Sequence, residues 1–130
     1  MKFAYTILYV SNVQRAVEFY EVAFGLSRRF IHESGQYAEL DTGGTTLSFA
    51  ANELAKSNLP HDFRPNSPDT PPAGIEIAFT TADVPAAYRQ AVAAGAEPLA
   101  EPVTKPWGQQ VAYVRDLDGI LVEIASPMDA

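Results

Sequence analysis

The chain contains no cysteine and few basic residues, and these shortages exclude several classes of function. Without Cys it can form no disulfide framework, no thiolate nucleophile and no cysteine-based zinc site. Nine Lys and Arg residues stand against sixteen Asp and Glu residues, which gives a formal net charge of −7. Nucleic acids and anionic membrane surfaces are therefore disfavoured as partners, because both require a basic surface. A neutral or cationic small molecule remains compatible with the charge.

Long apolar runs are also missing, so we expect neither a membrane-spanning segment nor a signal peptide. The apolar stretch at residues 3–10 has only the length of one strand. From these absences we expect a cytoplasmic protein. The 130 residues, of which 47% are hydrophobic, suffice for the core of one ordinary domain. We therefore predict a single domain over residues 1–130.

A β-α-β-β-β pattern occurs twice along the chain and predicts an α+β fold. Each copy starts with a strand rich in β-branched and aromatic residues, continues with an amphipathic helix and ends with three short strands. The predicted strands lie at 3–10, 27–32, 36–41 and 45–50, and again at 74–80, 97–103, 109–115 and 120–125. The first predicted helix starts after Ser11 or Asn12, either of which could cap it, and the second starts after the capping residue Asp83; the two helices end at Gly25 and Gly95.

The two copies define module one (1–50) and module two (74–126). Aligning the two helices on Val13 and Val84 places Tyr5 opposite Glu76. Aligning the last strands of the two modules places Ser48 opposite Glu123.

Residues 51–73 form a proline-rich connector between the modules. Half of the prolines of the chain lie here, at Pro60, Pro65, Pro68, Pro71 and Pro72. A connection of this length is usually a functional loop or a linker, and its start at 52–57 predicts no more than a helical turn. His61 and Arg64 could cap a binding site as a lid, or they could simply be solvated.

Alternation in two strands of module two predicts a pair of carboxylates on one face. The apolar residues Ile75, Ile77 and Phe79 should pack on the helices, which turns Glu76 to the opposite face. The same alternation in the last strand turns Glu123 to that face. If the two carboxyl groups come close together, like-charge repulsion and burial should raise the pKa of one of them, so both are candidate catalytic residues. Otherwise each is solvated or paired with an arginine such as Arg28, Arg29 or Arg115.

Aromatic residues with a polar tip supply candidate ligand contacts. Trp107 lies on a Pro-Trp-Gly turn, where a buried packing role is hard to satisfy. The other candidates that could line a pocket are Tyr5, Tyr9, Tyr37 and Tyr113. Some of these side chains could instead be ordinary sheet residues.

The order of the motifs resembles the vicinal oxygen chelate superfamily, which includes glyoxalases, bleomycin-resistance proteins and extradiol dioxygenases. The matching segments are residues 12–20, 24–26, 82–84, 93–96, 114–119 and 122–124. The resemblance implies two βαβββ modules that pair into a curved, cup-like mixed sheet with helices on the outside. It also implies a ligand inside the cup and a homodimer.

Metal-dependent members place His or Glu at four cup-facing positions, which the resemblance carries over to Tyr5, Ser48, Glu76 and Glu123. Tyr5 and Ser48 depart from the family pattern, and the two histidines of the chain, His32 and His61, lie at neither kind of position. A catalytic divalent ion usually takes three protein ligands, often imidazoles. We therefore favour no cofactor and no metal ligand. Weak binding of Mg, Mn, Zn or Ni through the two glutamates is the alternative.

Three functional hypotheses follow. The first is a metal-independent binder of the bleomycin-resistance kind that stacks an aromatic or cationic compound on Trp107 and the tyrosines, with Ser48 lining the site. The second is a glyoxalase-like, metal-dependent lyase or isomerase with Glu123 as base, so enzymatic activity stays open. A dioxygenase is the least favoured enzyme, because an iron triad needs two histidines. The third is a protein whose cup is vestigial and whose role is dimerisation or regulation.

Overall fold

The computed structural model of the protein describes residues 1–128, and the last two residues of the predicted single domain lie outside this part. The strands are β1 (Tyr5–Val10), β2 (Ser27–Ile31), β3 (Tyr37–Asp41), β4 (Thr46–Ala51), β5 (Glu76–Thr80), β6 (Glu97–Thr104), β7 (Gln110–Arg115) and β8 (Leu121–Ala125). The helices are α1 (Val13–Phe24), α2 (Asn52–Asn58) and α3 (Val84–Ala93). The predicted α+β class with two β-α-β-β-β modules is confirmed. Within residues 1–128, no helix has the length and apolarity needed to cross a bilayer.

The chain forms two compact units, of which the first ends at Asn66 and the second begins at Ser67. The sheet of the first unit has the strand order β1-β4-β3-β2, with β1 and β4 parallel and the other neighbours antiparallel. Helix α1 packs on one face of this sheet, where the ring centroids of Tyr20 and Phe49 lie 5.0 Å apart. We call the opposite face, which carries Tyr5, Ile7 and Ser48, the open face of the first unit.

The second unit repeats this architecture with the strand order β5-β8-β7-β6. Helix α3 contributes the buried side chains Val84 and Ala91 to its core. The opposite face, which carries Glu76, Glu123 and Tyr113, is the open face of the second unit. Ile75 precedes β5 and is 69% exposed. The expectation that it packs on the helices is wrong, because the residue lies outside the strand whose alternation it was thought to share.

The pairing register is the same in both units. Tyr5 pairs with Thr46 in the first unit, and Glu76 pairs with Leu121 in the second. Two residues after Thr46 and Leu121, respectively, Ser48 on β4 and Glu123 on β8 occupy matching positions. This register agrees with the two alignments made from the sequence.

Side-chain caps fix the starts of the two longer helices. The Asn12 side chain accepts a hydrogen bond from the backbone N–H of Arg15 at 3.0 Å, and Asp83 accepts one from Ala86 at 3.1 Å. Each cap satisfies a backbone donor that the helix itself leaves without a partner.

We expect Asn12→Ala to lower the free energy of unfolding by about 1 kcal/mol, because the Arg15 N–H loses its acceptor. Urea denaturation measures this change. Asn12→Ser is the matched control and should retain most of the stability, since its hydroxyl can accept the same hydrogen bond. Equal losses in the two variants would contradict the capping role.

The connector is attached to each unit by side-chain contacts. Its start forms helix α2, and further on the Phe63 ring lies 4.9 Å from that of Tyr9. The Asn66 amide donates to the carbonyl of Tyr9 at 3.0 Å. In the second unit, Arg115 donates to carbonyl groups of residues 67–70. The two residues predicted to act as a lid, His61 and Arg64, are exposed, and that role stays a prediction.

Candidate functional site

The open face of the second unit brings Glu76 and Glu123 together. Strands β5 and β8 are parallel, and Glu123 lies two residues beyond Leu121, the direct partner of Glu76, on the same face. Their carboxyl groups lie close enough to interact. Partial burial is the main cause that raises the pKa of Glu76 above its ordinary value of 4.5, followed by hydrogen bonding to Glu123 and by the charge of Glu123.

Tyr113 completes this arrangement from the neighbouring strand. It lies directly opposite Glu123 in the β7–β8 pair, and its hydroxyl donates to Glu123 Oε1 at 2.7 Å. The hydrogen bond to Glu123, burial and the two nearby carboxylates raise the pKa of Tyr113 to about 12. At neutral pH the hydroxyl therefore keeps its proton and remains a donor. We call Glu76, Glu123 and Tyr113 the carboxyl cluster.

The three arginines considered as partners of this pair are held elsewhere. Arg28 forms a salt bridge with Glu21 at 2.8 Å, and Arg29 forms one with Glu39 at 3.3 Å. Arg115 donates to backbone carbonyls and lies 3.8 Å from Glu97. Within the second unit, Arg115 therefore does not pair with Glu76 or Glu123.

The open face of the first unit gathers the other predicted contact residues. The Tyr37 hydroxyl lies 3.1 Å from Ser48 Oγ and 2.9 Å from Glu39 Oε2. Tyr37 has one proton to donate, and the carboxylate is the stronger acceptor, so the Ser48 hydroxyl is left to donate to Tyr37. Burial is the main cause that raises the pKa of Tyr37, and the hydrogen bond to Glu39 and the charge of Glu39 raise it further, whereas the hydrogen bond with Ser48 lowers it. Ser48 is fully buried, whereas Tyr5 is 51% exposed.

Glu39 is a polar residue of this face that the sequence reasoning missed. It lies directly opposite Ser48 in the β3–β4 pair, and its side chain is 12% exposed. Arg29 reaches it from a register shift between Arg28 and Phe30 in β2, and it also donates to the Thr46 hydroxyl at 3.2 Å. Such an irregularity redirects a side chain. The sequence signal that could have identified Glu39 is the alternation along β3, which places it on the same face as Tyr37.

Trp107 lies apart from the carboxyl cluster. It is 63% exposed, and its indole N–H donates to Gln109 Oε1 at 3.0 Å. The ring borders a hollow of about 140 Å³ whose other lining residues are Gly108, Gln109, Pro127 and Met128. None of these residues belongs to the carboxyl cluster, so the structure does not bring Trp107 to the glutamate pair.

The donor set does not suit a catalytic metal ion. The second unit supplies two carboxyl groups, those of Glu76 and Glu123, and in the first unit Tyr5 and Ser48 supply only hydroxyl groups. No cluster of three or more His, Asp or Glu side chains in residues 1–128 could hold an ion. A catalytic first-row metal usually requires three such ligands. These residues therefore do not fit the ion found in metal-dependent members of the superfamily that the sequence resembles.

Comparison with protein families and solved structures identifies relatives over nearly the whole chain. The model of the Glyoxalase/Bleomycin resistance protein/Dioxygenase superfamily matches residues 2–124. The fold is similar to that of a glyoxalase-related enzyme from Fulvimarina pelagi, with a TM-score of 0.84 and 21% sequence identity. That match covers 100% of this chain and 94% of the other.

Two further solved structures are similar over 98% of this chain and 100% of their own. TioX from Micromonospora sp. ML1 has a TM-score of 0.73 and 24% identity. A glyoxalase/bleomycin resistance protein/dioxygenase family enzyme from Burkholderia phytofirmans PsJN has a TM-score of 0.75 and 19% identity. At these identities the similarity shows a shared fold and nothing about activity. A search of curated proteins finds no match.

Proposed function

Because the chain belongs to the Glyoxalase/Bleomycin resistance protein/Dioxygenase superfamily, we propose that it binds a small organic cation without a catalytic metal. The proposed site is the open face of the second unit. One observation carries the proposal: two glutamates from neighbouring strands lie together on that face, and a tyrosine hydroxyl donates to one of them. Arg115, the arginine of the same unit that was considered as a partner, is held by backbone carbonyls, and a positive ligand suits the two carboxyl groups.

An ammonium group suits the space between two neighbouring carboxyl groups. When both are ionised, two negative charges face each other, and this repulsion favours a cation between them. Ammonium donors also form charge-assisted hydrogen bonds with carboxylates, which are stronger than neutral ones. The net charge of −7 supports the approach of such a ligand over longer distances.

Aromatic stacking is proposed at two places separate from the carboxyl cluster. Tyr5 on the first unit and Trp107 on the second expose 51% and 63% of their surfaces, so each is available for contact with a flat group. Tyr37 is half-buried, and its hydroxyl is bonded to Glu39 and Ser48. We propose that it shapes the open face of the first unit.

The pH dependence of amine binding tests the proposal. Affinity for benzylamine should rise as the pH increases through the raised pKa of Glu76, because the cluster gains a second negative charge. The amine itself stays protonated in this range. Glu76→Gln should lower the affinity about tenfold and flatten the pH dependence above pH 4.5. Calorimetric titration measures both effects, with uncharged benzyl alcohol as the control ligand.

The stability of the same variant separates a binding role from a structural one. The folded-state pKa of Glu76 lies above its unfolded value, so Glu76 contributes stability below the unfolded pKa that is lost as the pH rises through the folded pKa. Glu76→Gln removes this loss. The free energy of unfolding of the variant, compared with that of the wild type, should therefore be more favourable at neutral pH than at pH 4.5. A variant that lost stability together with affinity would contradict the proposal.

A second candidate function is a lyase or isomerase in which Glu123 abstracts a proton next to a carbonyl group. The observation that favours it is the placement of Glu76 beside Glu123 on one face, since a carboxyl group with a raised pKa then lies next to a potential base. Exchange of the α-protons of a hydroxyketone in D₂O, followed by NMR, tests this activity. Exchange that disappears in Glu123→Gln, or a stoichiometric divalent ion in protein purified without chelator, would favour the enzyme.

We further propose a cytoplasmic location and a homodimer. The acidic composition is compatible with a protein that avoids nucleic acid and anionic lipid surfaces. Sedimentation velocity of the full chain tests the oligomeric state, and a monomer at all concentrations would overturn the dimer.

A further inference from the structure

Small residues flank the carboxyl cluster on both sides. At the level of Glu123, the sheet of the second unit presents a row of four residues, one from each strand. In the order β5-β8-β7-β6 they are Ala78, Glu123, Tyr113 and Ala100. Both alanines are exposed. The long polar side chains of Glu123 and Tyr113 therefore stand beside two positions where almost no side chain covers the sheet.

The matching row of the first unit has the opposite distribution of size. In the order β1-β4-β3-β2 it reads Ile7, Ser48, Glu39 and Phe30. Large apolar residues occupy both ends, and the polar residues between them are largely buried: Ser48 fully, with the Glu39 side chain 12% exposed. The fold thus accepts large residues at the ends of such a row.

Sheet stability does not explain the two alanines. Alanine is depleted in strands, where β-branched and aromatic residues pack better against their neighbours. An exposed alanine also contributes little apolar burial. The positions beside the carboxyl cluster therefore combine poor strand formers with free space directly next to two hydrogen-bonded polar side chains.

We propose that Ala78 and Ala100 set the size of the ligand, so that the site takes a primary amine with a bulky, flat body. The ammonium group binds Glu76 and Glu123, and the body lies over Ala78 on β5 or over Ala100 on β6. This inference rests on the proposed function and deepens it by naming the ligand class. Charge complementarity selects the amine, and the two alanines leave room for a flat group close to the backbone.

A size series of amines tests the inference. Dissociation constants for methylamine, benzylamine and 1-naphthylmethylamine would be measured by NMR titration of the full chain. The wild-type protein should bind more tightly as the body of the amine grows, because more apolar area is covered. Ala78→Leu should weaken 1-naphthylmethylamine about tenfold and leave methylamine within about twofold. Ala100→Leu should act in the same direction if the body also uses β6.

A matched control places the same bulk elsewhere. Ala73→Leu adds the same volume at an exposed position outside the row and should leave all three constants unchanged. Equal weakening of all amines by Ala78→Leu and Ala100→Leu, or no weakening by either, would overturn the size inference.

The outcomes also separate the two proposals. If no amine binds the wild-type protein, both the cation-binding function and the size inference are wrong. If amines bind and depend on Glu76 but ignore both leucine variants, only the size inference fails. Dispersed amide spectra of each variant would verify that the fold is retained.

Discussion

Arg115→Met is expected to lower the free energy of unfolding by roughly 3 kcal/mol, because it removes a buried charge that satisfies several backbone carbonyls. Arg115 is 7% exposed. Its guanidinium donates to the carbonyls of Gly119 and Thr70 at 2.8 Å each and to that of Ser67 at 3.0 Å. Methionine retains most of the apolar stem, so the loss reports on the hydrogen bonds of the guanidinium.

The turn before β8 requires glycine at position 119, because Arg115 and the connector pack closely against it. The Gly119 φ of +84° lies in the left-handed region, and an added Cβ would collide with the Ser67 carbonyl and with the Arg115 guanidinium. The turn before β8 and the end of the connector thus approach each other closely around Arg115. This contact fixes residues 67–70 on the second unit.

The control for Arg115→Met is the same substitution at an exposed arginine. Arg28 pairs with Glu21, but its side chain is 41% exposed, and exposed ion pairs contribute little to stability. Urea unfolding of the two variants should therefore give a much larger loss at position 115. Equal losses would mean that the buried hydrogen bonds do not hold the connector.

Alternation along the strands makes the glutamate pair predictable from the sequence. Side chains along a strand point to opposite faces in turn, so the apolar residues Ile77 and Phe79 determine the face of Glu76, and the same logic applies to Glu123. The duplication supplies the register, because matching positions in two copies of one module face the same way. Helix and strand bounds are predicted within two residues, since each element is bordered by a cap, a glycine or a turn.

Contacts that depend on irregular backbone are not predictable in this way. The register shift in β2 redirects Arg29 to Glu39, and no sequence pattern marks the position of such a shift. Arg115 was considered as a partner of the glutamates, but it donates to carbonyls of the connector. That contact joins segments far apart in the sequence, so local periodicity carries no information about it.

Glu123→Gln is expected to lower the affinity for benzylamine roughly 30-fold, the largest effect of any substitution in the carboxyl cluster. Glu123 is the central member, since it lies beside Glu76 on the neighbouring strand and accepts a hydrogen bond from the Tyr113 hydroxyl. Glutamine keeps the size and an acceptor oxygen but removes the charge. Cation binding would then rely on Glu76 alone, and hydrogen bonds to a charged carboxylate are stronger than those to an amide.

The same substitution has a readout that needs no ligand. The hydrogen bond to Glu123 is the largest cause of the Tyr113 pKa of about 12, so Tyr113 in the variant should titrate at lower pH, nearer to its ordinary value of 10.0. NMR of the labelled tyrosine ring carbon measures this change, with Tyr113→Phe to assign the signal. A lowered tyrosine pKa with unchanged amine affinity would verify the geometry of the cluster and contradict its role in binding. Unchanged values for both would contradict the hydrogen bond itself, because a charge 2.7 Å from the hydroxyl cannot be removed without favouring ionisation.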